Sequence, residues 1–474
     1  MVSWKAKNQT TISNWSSVEA EYRSLEIRSS LRRDNLSRRF STRHIGHQLA
    51  SSHVRRLLLS HESEHYAVIF DAGSTGSRVH VFSFDTKLDI LPIGNDIEYF
   101  LAINPGLSSY ANNPKAGALS LKPLLDKAEA VVPKDLQPQT PLKLGATAGL
   151  RLLKGDAAVK ILQAVRDLFK NETTLNYKTE WVSVLDGTQE GSYFWVALNC
   201  LLGNLGKKYE RTVATIDLGG GSVQMTYAIS KEIALKAPKV PDGEPYVLNK
   251  SLLGTNYDIY VHSYLNYGQL AARTEIFKAS GNSSSSPCIL GGYNGYYTYN
   301  GVAYKASSPK QGSNLKKCRT LAKKALKIKG PCKHKKCTFG GIWNGGGGQG
   351  FKNLYASSFF YDYAAMVGII DPKKPSGRAK PIQYLYAAKL ACNTKVKDIK
   401  SVFPNIDERN IPFICMDLVY EYTLLVDGFG LHPKQEITMV NEVKYKNYIV
   451  GAAWPLGCAI DVVSSSSSFE HCHL

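Results

Sequence analysis

The sequence has no long apolar run. Its 474 residues are 43% hydrophobic, yet no stretch approaches the roughly 18 consecutive apolar residues with which a helix crosses a bilayer. The sequence therefore excludes a transmembrane helix. It also lacks the pattern G-x-x-x-x-G-K-[ST], and this absence argues against a P-loop nucleotide hydrolase.

Acidic residues are scarce. The chain has 39 Asp+Glu against 58 Lys+Arg, a net charge of +19. This excess favours an anionic partner, which could be a nucleic acid, a phosphorylated metabolite, an acidic glycan or a membrane surface. Ten of the cations and no acid lie in residues 314–336, where apolar residues at helical spacing predict a basic helix. That helix could bind calmodulin, an acidic glycan or a membrane surface, or form a solvated face that steers nucleotide.

Cysteine is almost absent from the first 280 residues, where only Cys200 of the nine cysteines lies. The odd count leaves at least one thiol without an intramolecular partner. Cys332 and Cys337 are spaced as half of a zinc site or as a short-loop disulfide. Because no second ligand pair of suitable spacing follows, the disulfide is the favoured interpretation.

Residues 1–65 lack the apolar stretch of about 7–15 residues that a secretory signal requires, because Leu57-Leu58-Leu59 is too short. They are rich in Ser and Arg, with 11 Lys+Arg and six Asp+Glu. The basic composition favours an organelle transit peptide, but the acidic residues argue against one. We expect a basic extension that is disordered or processed.

Two segments of similar design follow, in a chain that is α/β in pattern from Tyr66. Phe70-Asp-Ala-Gly-Ser74 and Ile216-Asp-Leu-Gly-Gly-Gly-Ser222 each combine a buried strand, an Asp at its end, a Gly/Ser loop and a second strand. Their repetition predicts two similar halves that face each other across a cleft. Glycine lets backbone N–H groups turn towards one anion, and an Asp at the strand end can hold a hydrated cation. The pair therefore predicts a clamp on the terminal phosphates of a polyphosphate.

Two further segments fit the same cleft. Gly145-Ala-Thr-Ala-Gly-Leu-Arg151 supplies a close-approach loop with a hydroxyl at Thr147. Asp186-Gly-Thr-Gln-Glu-Gly-Ser192 opens a helix after a strand, and its Glu190 could accept a proton from an attacking water. Alone, Glu190 could equally be a first-turn acid that interacts with the helix dipole.

These segments resemble the five apyrase regions of the ecto-nucleoside triphosphate diphosphohydrolase family, and its plant apyrase branch most of all. The resemblance covers residues 66 to 460, with all five segments in the family's order. It implies an α/β, two-domain actin/Hsp70/ribonuclease-H-like fold with the active site in the interdomain cleft. The five segments are Asp71-Ala-Gly-Ser-Thr-Gly-Ser-Arg78, Ala146-Thr-Ala-Gly-Leu-Arg151, Asp186-Gly-Thr-Gln-Glu-Gly-Ser192, Asp217-Leu-Gly-Gly-Gly-Ser-Val-Gln224 and Ala452-Ala-Trp-Pro-Leu-Gly457.

The resemblance also implies a role for individual residues. Glu190 is implied as the general base that activates one water. The residues implied to hold Ca²⁺ or Mg²⁺ through waters are Asp71, Asp217, Gln224 and Trp454. Those implied to bind phosphate are Ser74, Thr75, Gly76, Ser77, Arg78, Thr147, Gly219, Gly220, Gly221 and Ser222. Family members stack the nucleobase on an aromatic side chain of the second domain, and Tyr361 is our candidate.

The same resemblance implies the domain organisation and the disulfides. Domain I is expected over residues 66–186, completed by residues 446–474, and domain II over residues 187–445. The implied disulfides are Cys288–Cys318, Cys332–Cys337 and Cys392–Cys415, which leave Cys200, Cys458 and Cys472 unassigned.

The function implied is the cation-dependent hydrolysis of nucleoside tri- and diphosphates, such as ATP and ADP, to the monophosphate and inorganic phosphate. The alternative is a carbohydrate- or signal-binding protein on the apyrase fold; a polyphosphatase or sugar kinase of the actin-like superfamily is a third hypothesis. Nucleotide displaces nucleic acid as the expected anionic partner. The family suggests a secreted protein or one of the secretory pathway, although residues 1–65 show no clear signal peptide.

Overall fold

The structure is a computed structural model that describes residues 64–73, 75–240, 245–281 and 283–465. Most of the predicted N-terminal extension, Ser74 and Cys472 lie outside these ranges. In the part of the chain that it describes, no helix combines the length and apolarity needed to cross a bilayer.

The first half of the described chain forms a six-stranded sheet with helices packed on it. β-Branched and aromatic residues fill the predicted strand at Tyr66, and such residues favour extended backbone. The elements are β1 His65–Ala72, β2 Ser77–Phe84, β3 Ile90–Leu91, β4 Tyr99–Ile103, α1 Pro114–Ser120, α2 Lys122–Val131, β5 Pro141–Ala146, α3 Ala148–Arg151, α4 Ala157–Glu172 and β6 Asn176–Val184.

The second half forms a seven-stranded sheet, two small hairpins and further helices. Its elements up to the basic segment are α5 Gly187–Leu201, β7 Ala214–Leu218, β8 Ser222–Ile229, α6 Lys231–Leu235, β9 Val247–Leu252, β10 Thr255–Leu265, α7 Gln269–Ala279, β11 Asn294–Tyr299, β12 Val302–Ser307 and α8 Leu315–Ala325. Those that follow are β13 Leu354–Ser358, α9 Phe359–Met366, β14 Ser376–Ala379, α10 Pro381–Cys392, α11 Ile399–Val402, α12 Ile414–Thr423, β15 Ile437–Val440, β16 Glu442–Tyr445, β17 Tyr448–Gly451 and α13 Trp454–Ser464.

The two large sheets repeat one topology. In the first, β1 pairs antiparallel with β2, β2 pairs with β4, and β5 and β6 extend the other side in parallel. In the second, β7 pairs antiparallel with β8, β8 pairs with β10, and β13 and β15 extend the other side in parallel. The two similar halves predicted from the repeated strand–Asp–Gly–Ser design are therefore present.

A hydrophobic layer between the two sheets holds them together. Ala67 and Ile69 of β1 face it from the first sheet, and Ala228 and Ile259 face it from the second. Helices α5 and α13 fill the space between them. Alternate residues of β1 face a separate core with α2 and α4. Each large apolar side chain buried in these layers contributes about 1.5–3 kcal/mol, so the layer fixes how the two halves meet.

Residues rich in Gly, Ser and Tyr form the β11–β12 hairpin, in which Tyr296 and Val302 are exposed while Ala306 and the nearby Cys288 and Leu290 are buried. The sequence from Tyr445 predicts a last strand and then a turn, and the turn is wrong because α13 begins at Trp454. Both segments have a disulfide or a helix partner far away in the sequence, which local pattern does not reveal.

The three disulfides implied by the resemblance are all present. They join Cys288 to Cys318, Cys332 to Cys337 and Cys392 to Cys415. Cys200 and Cys458 are thiols. The disulfide interpretation of the Cys332 and Cys337 pair is therefore confirmed over the zinc site.

Candidate active site

Asp71 lies near the carboxyl end of the central strand β1. Arg78, its cross-strand partner in β2, places Nη1 3.5 Å from Asp71 Oδ2. The other oxygen, Oδ1, is buried and has no hydrogen-bond partner among the described residues. A buried polar oxygen without a partner is costly, so this position is suited to a hydrated cation.

Asp217 holds the equivalent position in the second sheet, near the end of β7. Its Oδ1 accepts hydrogen bonds from Ser357 Oγ at 2.9 Å and Ser358 Oγ at 2.6 Å. Burial raises the pKa of Asp217, the two serine hydroxyls oppose this, and the charge of Asp71 adds to it. Ser358 has a φ of +58°, a strained backbone of the kind that functional sites retain.

Glu190 lies in the first turn of α5. Asp186 caps this helix by accepting the Gln189 N–H at 2.6 Å, and Gln189 completes a capping box. A Cβ at Gly187 would overlap the side chain of Ser263. Glycine there lets the helix start pack directly against β10, so Glu190 projects from a rigid position.

The Glu190 carboxylate is held by side chains from both halves of the protein. Its Oε2 accepts hydrogen bonds from Arg151 Nη2 and, at 3.2 Å, from Gln224 Nε2. Its side chain is only 12% exposed. Burial raises the pKa of Glu190 to about 7; Arg151 opposes this shift, while Asp217 and Asp71 add to it. The two aspartates are thus close enough for their charges to act on Glu190.

The Gly219–Gly221 loop is fixed by the start of α7. The carbonyl of Gly219 accepts the Gln269 N–H at 2.8 Å, and the carbonyl of Gly220 accepts the Leu270 and Ala271 N–H groups at 3.0 Å. In a planar trans peptide the N–H points opposite to the C=O. The N–H groups of Gly220 and Gly221 therefore point away from α7, where an anion could accept them. Ser222 follows at the start of β8.

Ser222 Oγ is part of a polar cluster that joins the two halves. It accepts hydrogen bonds from Gln224 Nε2 at 2.7 Å and from Arg151 Nη2 at 3.3 Å. Gln224 Nε2 also lies 3.1 Å from Ser263 Oγ. Gln224 and Arg151 therefore each contact both Glu190 and Ser222.

The first loop is described except for Ser74, which lies outside the described residues. The carbonyl of Thr75 accepts the Gly106 N–H at 3.1 Å. Gly76 completes the turn, and Ser77 begins β2 with a buried Oγ that has no partner in the described ranges. Contact between this loop and phosphate stays a prediction.

Thr147 and Trp454 lie beside the strand that carries Asp71. The Thr147 N–H donates to the Ala72 carbonyl at 3.1 Å. The Trp454 ring packs on Gly145, the β5 residue paired with Asp71, where a Cβ would lie 2.6 Å from Trp454 Cη2. Both residues are therefore near Asp71, and their roles towards phosphate and cation stay predictions.

Tyr361 lies in α9, one turn after Ser358. Its ring belongs to the core of the second half, and 7% of the residue is exposed. Its hydroxyl donates to the Lys374 carbonyl at 2.6 Å. The ring is therefore packed inside the second half, and its role as a base platform stays a prediction.

Within the described ranges, no group of three or more His, Cys, Asp or Glu side chains could hold a metal directly. The candidate donors to a hydrated divalent cation are the two aspartates, of which Asp71 keeps an unpartnered oxygen. Hard cations such as Mg²⁺ retain several waters and use one or two carboxylates, so these residues fit that mode.

Several polar contacts of the site had no role in the sequence-based hypothesis. Arg151 ends the segment that begins at Ala146, and its contact with Glu190 depends on the approach of the two halves. Ser357 and Ser358 contact Asp217 from a parallel strand far away in the sequence. Ser263 approaches Gln224 from β10. A Ser-Ser pair at a strand end was the only local signal for any of these contacts.

Known proteins of one family resemble this chain over most of its length. A profile of the GDA1/CD39 (nucleoside phosphatase) family matches residues 57–473. Over 415 residues the chain is 68% identical to a protein named apyrase from Solanum tuberosum. This alignment covers 88% of this chain and 91% of the relative. Over 433 residues it is 53% identical to a nucleoside-triphosphatase from Pisum sativum, and this alignment covers 91% of this chain and 94% of the relative.

One solved structure has a related fold. The nucleoside triphosphate hydrolase structure from Neospora caninum superposes with a TM-score of 0.58 at 13% identity, over 89% of this chain and 98% of that one. At this identity the likeness concerns the fold alone.

The chain therefore belongs to the GDA1/CD39 (nucleoside phosphatase) family and is an enzyme, a hydrolase of the apyrase class. The predicted family is confirmed. The actin/Hsp70/ribonuclease-H-like α/β fold is confirmed as well, since two sheets of one topology flank the site. The boundaries proposed for the two domains remain a prediction.

Proposed function

We propose that the enzyme hydrolyses nucleoside tri- and diphosphates, in the presence of Ca²⁺ or Mg²⁺, to the monophosphate and inorganic phosphate. The observation that carries this proposal is the position of Glu190. Its carboxylate contacts Gln224, which follows the second glycine loop, and the aspartates that precede both loops act on its pKa. The named activities of the plant relatives agree with it.

Glu190 is assigned as the general base. Arg151 and Gln224 both bond its Oε2, so Oε1 is the oxygen that we assign to the attacking water. As the water oxygen bonds to the terminal phosphorus, its proton passes to Glu190 and the phosphoanhydride P–O bond breaks. The shortened nucleotide leaves as an anion, and Glu190 releases the proton to solvent.

The phosphate chain is assigned to the two loops. Backbone N–H groups of Gly220 and Gly221, with the hydroxyls of Ser222 and Thr147, supply donors without a net charge. Arg78 adds the cation of the first loop. A bound divalent cation would neutralise phosphate charge, and Asp71, Asp217, Gln224 and Trp454 are the residues that would surround its waters.

The proposal also includes a compartment. Three disulfides are typical of proteins in an oxidising environment, and the chain forms all three. We place the enzyme in the secretory pathway or outside the cell.

The test is phosphate release from ATP, ADP, AMP and polyphosphate with Ca²⁺, with Mg²⁺ and with chelator. Release from ATP and ADP only with a cation, and none from AMP, supports the proposal. Full activity in chelator, or release from polyphosphate alone, would contradict it. A binder that has the apyrase fold but no activity would release no phosphate under any condition.

A further inference from the structure

The densest positive charge of the chain lies outside the phosphate site. Residues 279–361 contain 13 Lys+Arg and no Asp or Glu, against a net charge of +19 for the whole chain. Ten of the 13 lie in residues 314–336. Eight of these are exposed and form what we call the basic surface: Lys316, Lys317, Lys324, Lys327, Lys329, Lys333, Lys335 and Lys336.

The apolar side of α8 is already occupied within the protein. Cys318 and Ala322 are fully buried in the core of the second half. Cys318 is also joined to Cys288 by a disulfide, so the helix cannot turn this side outward while the disulfide is intact. The lysines of α8 consequently face solvent.

The two remaining cations of α8 fix its orientation. Arg319 Nη2 and Lys323 Nζ lie 2.7 Å and 2.8 Å from the carboxylate oxygens of Asp427. The Arg319 guanidinium also lies 4.8 Å from the Tyr422 ring centroid. These contacts serve the fold; among the eight exposed lysines, Lys324 also donates to the Ala279 carbonyl at 3.0 Å.

This arrangement disfavours two of the partners that the sequence left open. A calmodulin target presents the apolar face of its helix to a groove, and a membrane-surface helix inserts that face into lipid. The apolar face of α8 is not available for either. Moreover, among the described residues, none of the markedly exposed large apolar side chains lies in residues 314–336.

The charge continues from α8 into a small covalent loop. The Cys332–Cys337 disulfide closes this loop, and Lys333, Lys335 and Lys336 are exposed on it. Exposed lysines on flexible stems act as point charges without directional pairing. A row of such charges suits a polymer that repeats anionic groups better than a single compact ligand.

We propose that the basic surface binds an acidic polysaccharide, a chain of sugars that carries carboxylate or sulfate groups at intervals. The binding is electrostatic, and screening by salt therefore weakens it. It is separate from hydrolysis, because none of the eight lysines belongs to the site built around Glu190.

The probe is polygalacturonate, with neutral dextran as the blank. The test variant combines Lys317→Gln, Lys327→Gln, Lys333→Gln and Lys335→Gln. The control variant carries four exposed lysines of the first half changed in the same way: Lys87, Lys115, Lys134 and Lys170. Both variants lose the same charge, so only the location differs.

At low salt the test variant should bind polygalacturonate about tenfold more weakly than the unchanged protein, as four exposed ion pairs allow. The control variant should stay within about twofold of the unchanged protein, and added salt should abolish the difference between the variants. Both variants should release phosphate from saturating ATP at the unchanged rate, which shows that they are folded.

Three results would overturn the proposal. Equal losses in both variants would assign the binding to net charge alone. The test variant could instead keep its polygalacturonate binding and lose binding to Ca²⁺-calmodulin, or to vesicles of phosphatidylserine and phosphatidylcholine. That result would assign the surface to the partner whose binding is lost. Unchanged polygalacturonate binding with a lowered kcat/KM for ATP at low salt would make the surface a nucleotide-steering face.

Discussion

Asp71 and Asp217 occupy equivalent positions in the two sheets, but their neighbours on the parallel strand differ. Asp71 pairs with Gly145 and Asp217 pairs with Ser357. Because Gly145 has no side chain, Asp71 Oδ1 keeps no partner, whereas Asp217 Oδ1 accepts two serine hydroxyls. One half therefore offers an open oxygen, and the other a carboxylate whose orientation is fixed.

Asp71→Asn should separate stability from cation use. The change removes a charge that repels Glu190 and Asp217 and keeps a side-chain oxygen for Arg78, whose Nη1 lies 3.5 Å from Asp71 Oδ2. The variant in chelator should therefore gain about 1 kcal/mol in free energy of unfolding. The cation concentration needed for half-maximal phosphate release should rise at least about tenfold, because a carboxylate near the cation is lost. Denaturant unfolding and cation titration measure the two effects. Asp135→Asn, at an exposed site, is the control, and an equal response from it would reject the assignment.

Ser358 should tolerate glycine better than alanine. Its φ of +58° and ψ of −127° suit glycine, and a residue with a Cβ pays about 1–3 kcal/mol there. Both substitutions lose the hydroxyl that bonds Asp217, but only Ser358→Gly relieves the backbone. Denaturant unfolding should therefore show Ser358→Ala about 1 kcal/mol less stable than Ser358→Gly. Equal free energies of unfolding for the two variants would show that the backbone at Ser358 is not strained.

Arg151 should act as a positioning residue for Glu190. Arg151→Ala removes the donor to Glu190 Oε2 and to Ser222 Oγ, so kcat should fall about 10–100-fold while KM changes less. Arg151→Lys keeps the charge but not the fork of donors, and should recover only part of the loss. Steady-state kinetics on ATP compares the two variants. A change confined to KM would show that Arg151 binds substrate instead.

His262 should make the free energy of unfolding depend on pH. Burial lowers its pKa from 6.5 to about 4, and the rings of Tyr246 and Tyr264 pack on it while Arg151 lines the same 340 Å³ cavity. A histidine that stays neutral when folded stabilises the protein above pH 6.5. That contribution, up to about 3 kcal/mol, is lost as the pH falls from 6.5 towards 4.

His262→Phe should flatten this pH dependence in denaturant unfolding between pH 7.5 and pH 4.5. His432→Gln, at an exposed site, should leave the dependence unchanged. If both variants unfold with the pH profile of the original protein, His262 is not the group that titrates.

The parts of the site that repeat a local design could be predicted from the sequence. A buried strand, an Asp and a Gly/Ser loop are adjacent in the chain, so both hairpins were placed correctly. The helix that carries Glu190 was predicted from its start after a strand, and the structure adds the cap at Asp186.

The contacts that depend on tertiary packing could not be predicted. Arg151 meets Glu190 only because the two halves approach each other, and Ser357 meets Asp217 only because β13 lies parallel to β7. The helix at Trp454 is buried in the layer between the two sheets by residues far away in the sequence. Periodicity reports which face of an element is apolar, but not what covers it.

The most direct test of the account is Glu190→Gln. Glutamine keeps the size of the side chain but cannot accept the proton, so phosphate release from saturating ATP with divalent cation should fall about 10²–10⁴-fold. Nucleotide binding should remain, and Glu180→Gln, at an exposed site, should keep full activity. A Glu190→Gln enzyme that retained most of the original kcat would contradict the assignment of the base.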